Sequence, residues 1–245
     1  MGLKKSLRRF VNFNFGLDIV KYSPGPSDVS WWITQCDVDL VFDVGANTGQ
    51  FAHSLFKMGY RGNIVSFEPL SNEYERLLRA SKSNPRWTVA ERCAIGDVDG
   101  EISINRSRDS LSSSVLPVSQ TLHDVSPDSL SIGSETVKMY KLSTVATQYI
   151  KRAQAPFLKI DVQGYEDKVL KGAAEILSDI KGLELELSFV SLYKDQWLIE
   201  DMLKEIRRSG FYLHTLKPFF RTETGRDLQA EAIFFKNGYF PRKQV

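Results

Sequence analysis

Short apolar runs alternate along this chain with stretches in which apolar residues recur at helical spacing. The apolar runs predict strands at residues 39–44, 63–68, 87–95, 156–162, 182–187, 211–216 and 231–236. The helical spacing predicts helices at 50–58, 72–81, 144–152, 166–177 and 198–208. Regular alternation of strands with helices is typical of an α/β protein with a parallel sheet.

The last two predicted strands are joined by a polar loop without a helix, and such a pair is antiparallel. We therefore expect an α/β fold with a doubly wound, mostly parallel seven-stranded sheet and a C-terminal antiparallel strand. No internal repeat is visible, so one domain over 38–245, preceded by a leader at 1–37, accounts for the chain.

One segment, 107–134, departs from this alternation and is rich in serine, with Pro117, Pro127 and Gly133 among its residues. No clean period occurs there. We expect a long loop or insertion with a short helix near 119–124, and loops of this length are usually functional lids or disordered.

Composition narrows the class of protein without indicating its chemistry. The 245 residues carry 32 Lys+Arg and 30 Asp+Glu, for a net charge of +2, and 42% are hydrophobic. These values exclude collagen-like, disordered and disulfide-scaffold proteins and predict no nucleic-acid partner. The two distant cysteines, Cys36 and Cys93, favour a reducing cytoplasm.

The leader begins with basic residues, Lys4, Lys5, Arg8 and Arg9, and no stretch of about 18 apolar residues follows that could span a membrane. Leu3, Leu7, Phe10 and Val11 share the opposite helical face. Both a docking helix with solvated charges and a peripheral contact with a membrane surface fit this pattern.

Acidic residues end three of the predicted strands, where open α/β sheets bind their ligands. The first ends in the turn Asp43-Val44-Gly45-Ala46-Asn47-Thr48-Gly49. Its glycines allow a ligand to approach bare backbone, but their spacing is not GxGxxG, and Asp43 would repel a phosphate. The turn therefore favours a cationic ligand or a hydroxyl donor and argues against an NAD-dependent dehydrogenase.

The second and third acidic ends carry Glu68 and the pair Asp161 and Glu166. A carboxylate at Glu68 could accept hydrogen bonds from both hydroxyls of a ribose, which indicates an adenosine-containing ligand. Asp161 and Glu166 could meet at one site, although a first-turn acid such as Glu166 is also favoured by the helix dipole.

Four stretches in order carry a family resemblance: 41–49, VFDVGANTG; 66–69, SFEP; 94–97, AIGD; and 158–166, LKIDVQGYE. With them the chain resembles the FkbM family of S-adenosylmethionine-dependent methyltransferases, which have the Rossmann-like class I methyltransferase fold. One departure is Gln163, where the family usually shows glutamate.

The resemblance implies S-adenosylmethionine as the cofactor. It implies that the methionine end lies along Asp43, Gly45, Ala46, Asn47 and Gly49, the ribose at Glu68 and Pro69, and the adenine beside Ala94, Ile95 and Asp97. It also implies methyl transfer to a hydroxyl of a sugar, a glycan or a related natural product.

A hydroxyl acceptor has to lose its proton, so the reaction calls for a general base. Asp161 is the first candidate and Glu166 the second. Either could instead hold a divalent cation, but so short an acidic cluster leads us to expect no metal. A scaffold domain that binds the cofactor without catalysis is the alternative function.

Further side chains could contact the acceptor. They are Ser112, Ser113 and His123 in the insertion, Glu186 in the fifth strand, and Tyr193 and Trp197 beyond it. For Tyr193 and Trp197, ordinary packing under a loop is the competing interpretation, and for His123 it is a solvated position. The acceptor itself and the oligomeric state are not indicated by the sequence.

Overall fold

The computed structural model describes residues 25, 26 and 28–239. Its helices are α1 (Val29–Gln35), α2 (Gln50–Lys57), α3 (Ser71–Ser81), α4 (Gln120–Val125), α5 (Leu142–Ile150), α6 (Glu166–Gly172) and α7 (Ile199–Arg208). Its strands are β1 (Leu40–Val44), β2 (Asn63–Phe67), β3 (Trp87–Val89), β4 (Ala94–Gly96), β5 (Gly100–Ser107), β6 (Ser131–Lys141), β7 (Pro156–Ile160), β8 (Gly182–Ser188), β9 (Phe211–Arg221) and β10 (Asp227–Lys236).

Seven strands form the main sheet in the order β3-β2-β1-β7-β8-β10-β9. All neighbours pair in parallel except β10, which lies antiparallel to both β8 and β9. The doubly wound, mostly parallel sheet with a reversed C-terminal strand is therefore confirmed.

Both faces of this sheet are covered, so every residue of β1 is buried. Phe42 packs on one face with Leu142 of α5 and Leu170 of α6. Val41 packs on the other face, where Trp32 of α1 and Ala52 of α2 join it. The part of the predicted leader that the structure describes thus contributes to the core, while its basic start lies outside the described residues.

A second, three-stranded sheet in the order β4-β6-β5 stands beside the main one. The prediction of one strand over 87–95 was wrong, because the run divides between two sheets: β3 pairs with β2, and β4 pairs with β6. Continuous hydrophobicity does not show where a chain leaves one sheet for another.

The expected loop at 107–134 is only partly a loop. Helix α4 agrees with the short helix expected there, but residues 131–134 begin β6 and pair with β5, which no apolar run had indicated. Both strands expose many side chains, and a strand with such a weak alternation is hard to recognise in a sequence. The insertion is therefore anchored on a sheet at both ends.

The remaining differences are at element ends. Helix α6 stops at Gly172, and the chain continues in turns where a helix to residue 177 was predicted. β9 runs on to Arg221 because it pairs with β10 over its length. No helix among the described residues is long and apolar enough to cross a membrane.

Helix α6 approaches β4 so closely that only glycine fits between them. A β-carbon on Gly172 would overlap the carbonyl oxygen of Gly96. We expect Gly172→Ala to lower the free energy of unfolding by about 1–3 kcal/mol through overpacking. Chemical denaturation measures this loss. The control is Gly100→Ala, whose added methyl meets no atom within 4 Å; an equal loss in both variants would contradict the close approach.

Candidate active site

A cleft lies at the carboxyl ends of β1, β2 and β7. Its volume of about 310 Å³ is within the range of about 300–1,000 Å³ for small-molecule sites. The second sheet and the insertion form its outer wall. Its lining comprises residues 44–47, Gln50, Phe51, residues 67–70, residues 93–95, Ile104, Ser110, Leu111, residues 113–115, Lys159, residues 161–163 and Tyr165.

The turn after β1 forms the floor of the cleft. Gly45, Asn47 and Gly49 have positive φ angles of 79°, 47° and 92°. A β-carbon on Gly45 would overlap the carbonyl oxygen of Asp161, and one on Gly49 would meet the ring of Trp87. Gly45, Ala46 and Asn47 line the cleft, whereas Gly49 does not and is the N-cap residue of α2.

Glu68 faces this turn from the end of β2. Its carboxylate accepts hydrogen bonds from the backbone N–H groups of Asn47, at 2.7 Å, and Leu70, at 2.9 Å. The side chain is buried, and burial raises the pKa of Glu68 to about 7 despite these two bonds. Glu68 therefore places at the cleft a carboxyl group with a pKa near neutral pH.

The wall beside Glu68 is apolar and includes Phe67, Leu70, Cys93, Ala94 and Ile95. It combines the end of β2 and the residues after it with β4 and the residue before it, so the two sheets meet there. Pro69 also lines the cleft. Asp97 does not; its carboxylate is 3.6 Å from the Lys168 ammonium.

Asp43 does not line the cleft, contrary to the expectation that it contacts a ligand. It is fully buried beneath the floor, where its Oδ2 accepts a hydrogen bond of 3.0 Å from the Ser66 hydroxyl. Its Oδ1 lies 3.4 Å from the Lys159 ammonium. Strand register explains the cluster, because Ser66, Asp43, Lys159 and Glu184 are successive partners across β2, β1, β7 and β8.

Lys159 is the cation of this cluster and lines the cleft. Its ammonium also contacts Asp161 Oδ2 at 3.2 Å and lies over the Phe51 ring, 5.4 Å from the centroid. Burial opposes its charge, but Asp161 and Asp43 outweigh burial and raise the pKa of Lys159. The ammonium therefore stays charged between the two carboxylates.

Asp161 brings a carboxylate to the cleft surface, with 31% of its side chain exposed. Its backbone N–H donates to the Val44 carbonyl at 3.0 Å, which continues the pairing of β1 with β7. The side-chain oxygens accept from Lys159 and, at 2.8 Å, from the Gln163 amide.

Glu166 lies just behind this loop and not on the cleft wall. Its carboxylate accepts from the N–H groups of Val162, at 3.3 Å, and Gly164, at 3.1 Å. Burial raises the pKa of Glu166 to about 7. It is placed to hold the loop that presents Asp161.

The insertion closes the cleft through Ser110, Leu111, Ser113, Ser114 and Val115. The Asn47 amide donates to the Ser110 hydroxyl at 3.2 Å and so connects the floor with this outer wall. Ser112 does not line the cleft, and its carbonyl oxygen lies 3.1 Å from the Tyr193 hydroxyl oxygen.

The other expected acceptor residues also lie off the cleft. His123 is in α4, and Trp197 lies under the Lys171 ammonium, 4.7 Å from the ring centroid. Tyr193 is buried and Glu186 half-buried, and both contact the Gln163 side chain from behind.

Several lining residues were not predicted. A lysine within an apolar strand, as at Lys159, signals a buried partner, and this signal was present in the sequence. Ser110 and Cys93 gave no such signal, because their position depends on the second sheet. Among the described residues, no group of three or more His, Cys, Asp or Glu is arranged to hold a metal ion.

Comparison with known proteins identifies the family. The sequence profile of the methyltransferase FkbM domain matches residues 43–213, from the floor of the cleft to β9. The chain belongs to the FkbM methyltransferase family.

Among curated proteins, the chain is similar to the hexuronic acid methyltransferase AglP of Haloferax volcanii. The two are 26% identical over 153 residues, which cover 61% of this chain and 56% of AglP. The chain therefore spans little more than half of that relative.

Solved structures also align with this FkbM-family chain. Magnesium protoporphyrin IX methyltransferase of Synechocystis PCC 6803 has a TM-score of 0.47 at 12% identity, covering 96% of this chain and 97% of that one. TehB of Haemophilus influenzae has a TM-score of 0.48 at 10% identity, covering 94% and 67%.

Replacing Lys159 tests the buried ion cluster. Lys159→Met keeps the length of the side chain but leaves Asp43 buried without its cation, so we expect a loss of about 3–5 kcal/mol in the free energy of unfolding. Urea denaturation measures it, and Lys151→Met, at an exposed position, is the control. A loss no larger than that of the control would contradict the role of Lys159.

Glu184 makes the stability depend on pH. Its Oε2 is buried without a hydrogen-bond partner among the described residues, and burial raises its pKa from 4.5 to about 8. The folded protein therefore retains a proton that the unfolded chain loses, and the free energy of unfolding falls as pH rises from about 4.5 to 8. Glu184→Gln should make this slope shallower.

Urea titrations at several pH values across that interval measure the slope. Glu175→Gln, which changes an exposed glutamate, is the matched control. Parallel slopes for Glu184→Gln and the wild-type protein would exclude Glu184 as the titrating group.

Proposed function

We propose that this protein is an S-adenosylmethionine-dependent O-methyltransferase whose acceptor is a hydroxyl of a sugar or glycan. Membership of the FkbM family supports methyl transfer. The similarity to a hexuronic acid methyltransferase supports a carbohydrate acceptor. The observation that carries the proposal is the cleft itself, which brings the Asp161 carboxylate, the glycine turn after β1 and Glu68 to one site.

The chemistry of the lining fits the cofactor. Glu68 offers acceptor oxygens for ribose hydroxyls, and the apolar wall of Phe67, Ala94 and Ile95 suits a flat adenine ring. Gly45, Ala46 and Asn47 line the cleft beside Glu68, and we assign the methionine end of the cofactor to this turn.

The charge of the cleft also fits a cationic sulfonium. Lys159 is paired with Asp43 and Asp161, so its ammonium is not available to attract a phosphate or to repel a sulfonium.

When bound, S-adenosylmethionine supplies an electrophilic methyl group, and the transfer is an in-line displacement. What this chain has to provide is alignment, exclusion of water and removal of the acceptor's proton. Asp161 is the carboxylate with its side chain open to the cleft, and we assign it the role of general base. Its two hydrogen-bonding neighbours, Lys159 and Gln163, fix the direction of the carboxylate.

Glu166 then has a supporting role. Its carboxylate is occupied by two backbone N–H groups of the loop after Asp161, so it holds the base in place and does not contact the acceptor. On the acceptor side, the residues within reach of the cleft are Ser110, Ser113 and Ser114 of the insertion.

Asp161→Asn tests the assignment of the base. The variant keeps the shape of the side chain but cannot take a proton, so we expect methyl transfer to fall by about 10²–10⁴-fold. Calorimetric affinity for S-adenosylmethionine should change little, because Asp161 is assigned to the acceptor. Release of S-adenosylhomocysteine with a panel of uronic acids and other sugars measures turnover.

The control is Asp124→Asn, at an exposed position in α4. Unchanged turnover in Asp161→Asn would reject Asp161 as the base. Failure of the wild-type protein to bind S-adenosylmethionine would reject the methyltransferase proposal as a whole.

A further inference from the structure

The side-chain amide of Gln163 connects residues from three separate elements. Its Nε2 donates to Asp161 Oδ1 at 2.8 Å and to Glu186 Oε2 at 3.1 Å, and its Oε1 accepts from the Tyr193 hydroxyl at 2.9 Å. Both N–H groups and the carbonyl of the amide are thus used. The opposite orientation of the amide would set its oxygen against two carboxylates, so these partners fix one orientation.

The backbone of Gln163 is held in a conformation that aims this amide. Its φ is +55°, which is uncommon for a residue with a side chain. The Gln163 carbonyl accepts a hydrogen bond of 2.6 Å from the buried Ser114 hydroxyl of the insertion. Glu166 holds the N–H groups on either side, at Val162 and Gly164. The loop is therefore fixed independently of the side chain.

In this chain, acidic groups crowd around the amide of Gln163. Three carboxylates lie near Glu186: Asp161 just after β7, Glu166 in α6, and its strand partner Glu231 on β10. Lys159 is the neighbouring cation, and Gln229 and Tyr193 are the neutral groups. Burial, followed by Asp161 and Glu166, raises the pKa of Glu186, and donation from Gln163 lowers it. A further carboxylate at position 163 would add repulsion where the amide now adds two donors.

The same amide fixes the direction of Asp161. Gln163 occupies Oδ1 and Lys159 occupies Oδ2, so the carboxylate is held at both oxygens while its remaining acceptor positions stay open to the cleft. Glu186 and Tyr193 in turn hold the amide from behind.

We propose that Gln163 is a positioning residue, which bridges Asp161 and Glu186 and so holds the Asp161 carboxylate toward the acceptor hydroxyl. This inference rests on the proposed function, in which Asp161 removes the acceptor's proton. It assigns Glu186 and Tyr193, both expected to touch the acceptor, to the support of Gln163.

Two substitutions separate the charge of position 163 from its hydrogen bonds. Gln163→Glu replaces the donors with a carboxylate, so the pH at which kcat is half-maximal should rise by about one unit or more. Gln163→Met keeps the length but removes every polar atom, so kcat should fall by about 10–100-fold with KM for S-adenosylmethionine changed by less than about twofold. Gln154→Glu, at an exposed position, is the control for added charge.

A second measurement does not depend on turnover. Titration of the Glu186 carboxylate, followed by ¹³C NMR in the full-length protein, should move to higher pH in both variants, because each loses the donor from Gln163. Thermal denaturation shows whether Gln163→Glu and Gln163→Met each fold. If one of them does not, the other is compared with the wild-type protein.

The outcomes separate the two proposals. A pH profile of Gln163→Glu and a Glu186 titration that both match the wild-type protein would overturn the role of Gln163. If the wild-type protein neither binds S-adenosylmethionine nor transfers a methyl group, the proposed function fails. In that case the Glu186 titration alone tests whether Gln163 bridges Asp161 and Glu186. A shift of the titration in the two variants would support the bridge, and an unchanged titration would overturn it.

Discussion

The cleft depends on one buried cation. Lys159 stands in the middle of a parallel sheet, where a charge is costly unless it is paired, and it is paired with the carboxylates of Asp43 and Asp161. Asp43 anchors it to the neighbouring strand, and Asp161 carries the interaction to the surface of the cleft. One oxygen of the exposed carboxylate is therefore held by a contact from inside the sheet, while Gln163 of the following loop holds the other.

The main sheet was predictable because its signals are local and repeated. Apolar runs at β1, β7 and β8 have helices between them, and only a few topologies place such runs side by side. The second sheet was not predictable, because β5 and β6 are half-exposed and pair across the whole insertion. That pairing is a long-range contact, which no window of sequence contains.

The site was predictable in the same uneven way. The acidic strand ends at Glu68 and Asp161 were found at the cleft, since parallel strands bring their carboxyl ends to one edge. Asp43 was expected to contact the ligand but is buried beneath the floor of the cleft. Alternation within a strand does not show whether a polar side chain meets a ligand or another buried charge. Gln163 was noticed only as a departure from the family pattern, and its contacts give that departure a physical meaning.

The insertion begins and ends on paired strands, β5 and β6, that have no residue in the main sheet. Its inner residues form one wall of the cleft, while the opposite wall comes from β1, β2 and β7. The two walls thus belong to separately hydrogen-bonded units. Changes of length or sequence between β5 and β6 can reshape the acceptor side of the cleft. The strands that carry the glycine turn and Glu68 keep their register through such changes. Selection for a new acceptor can therefore act on one unit alone.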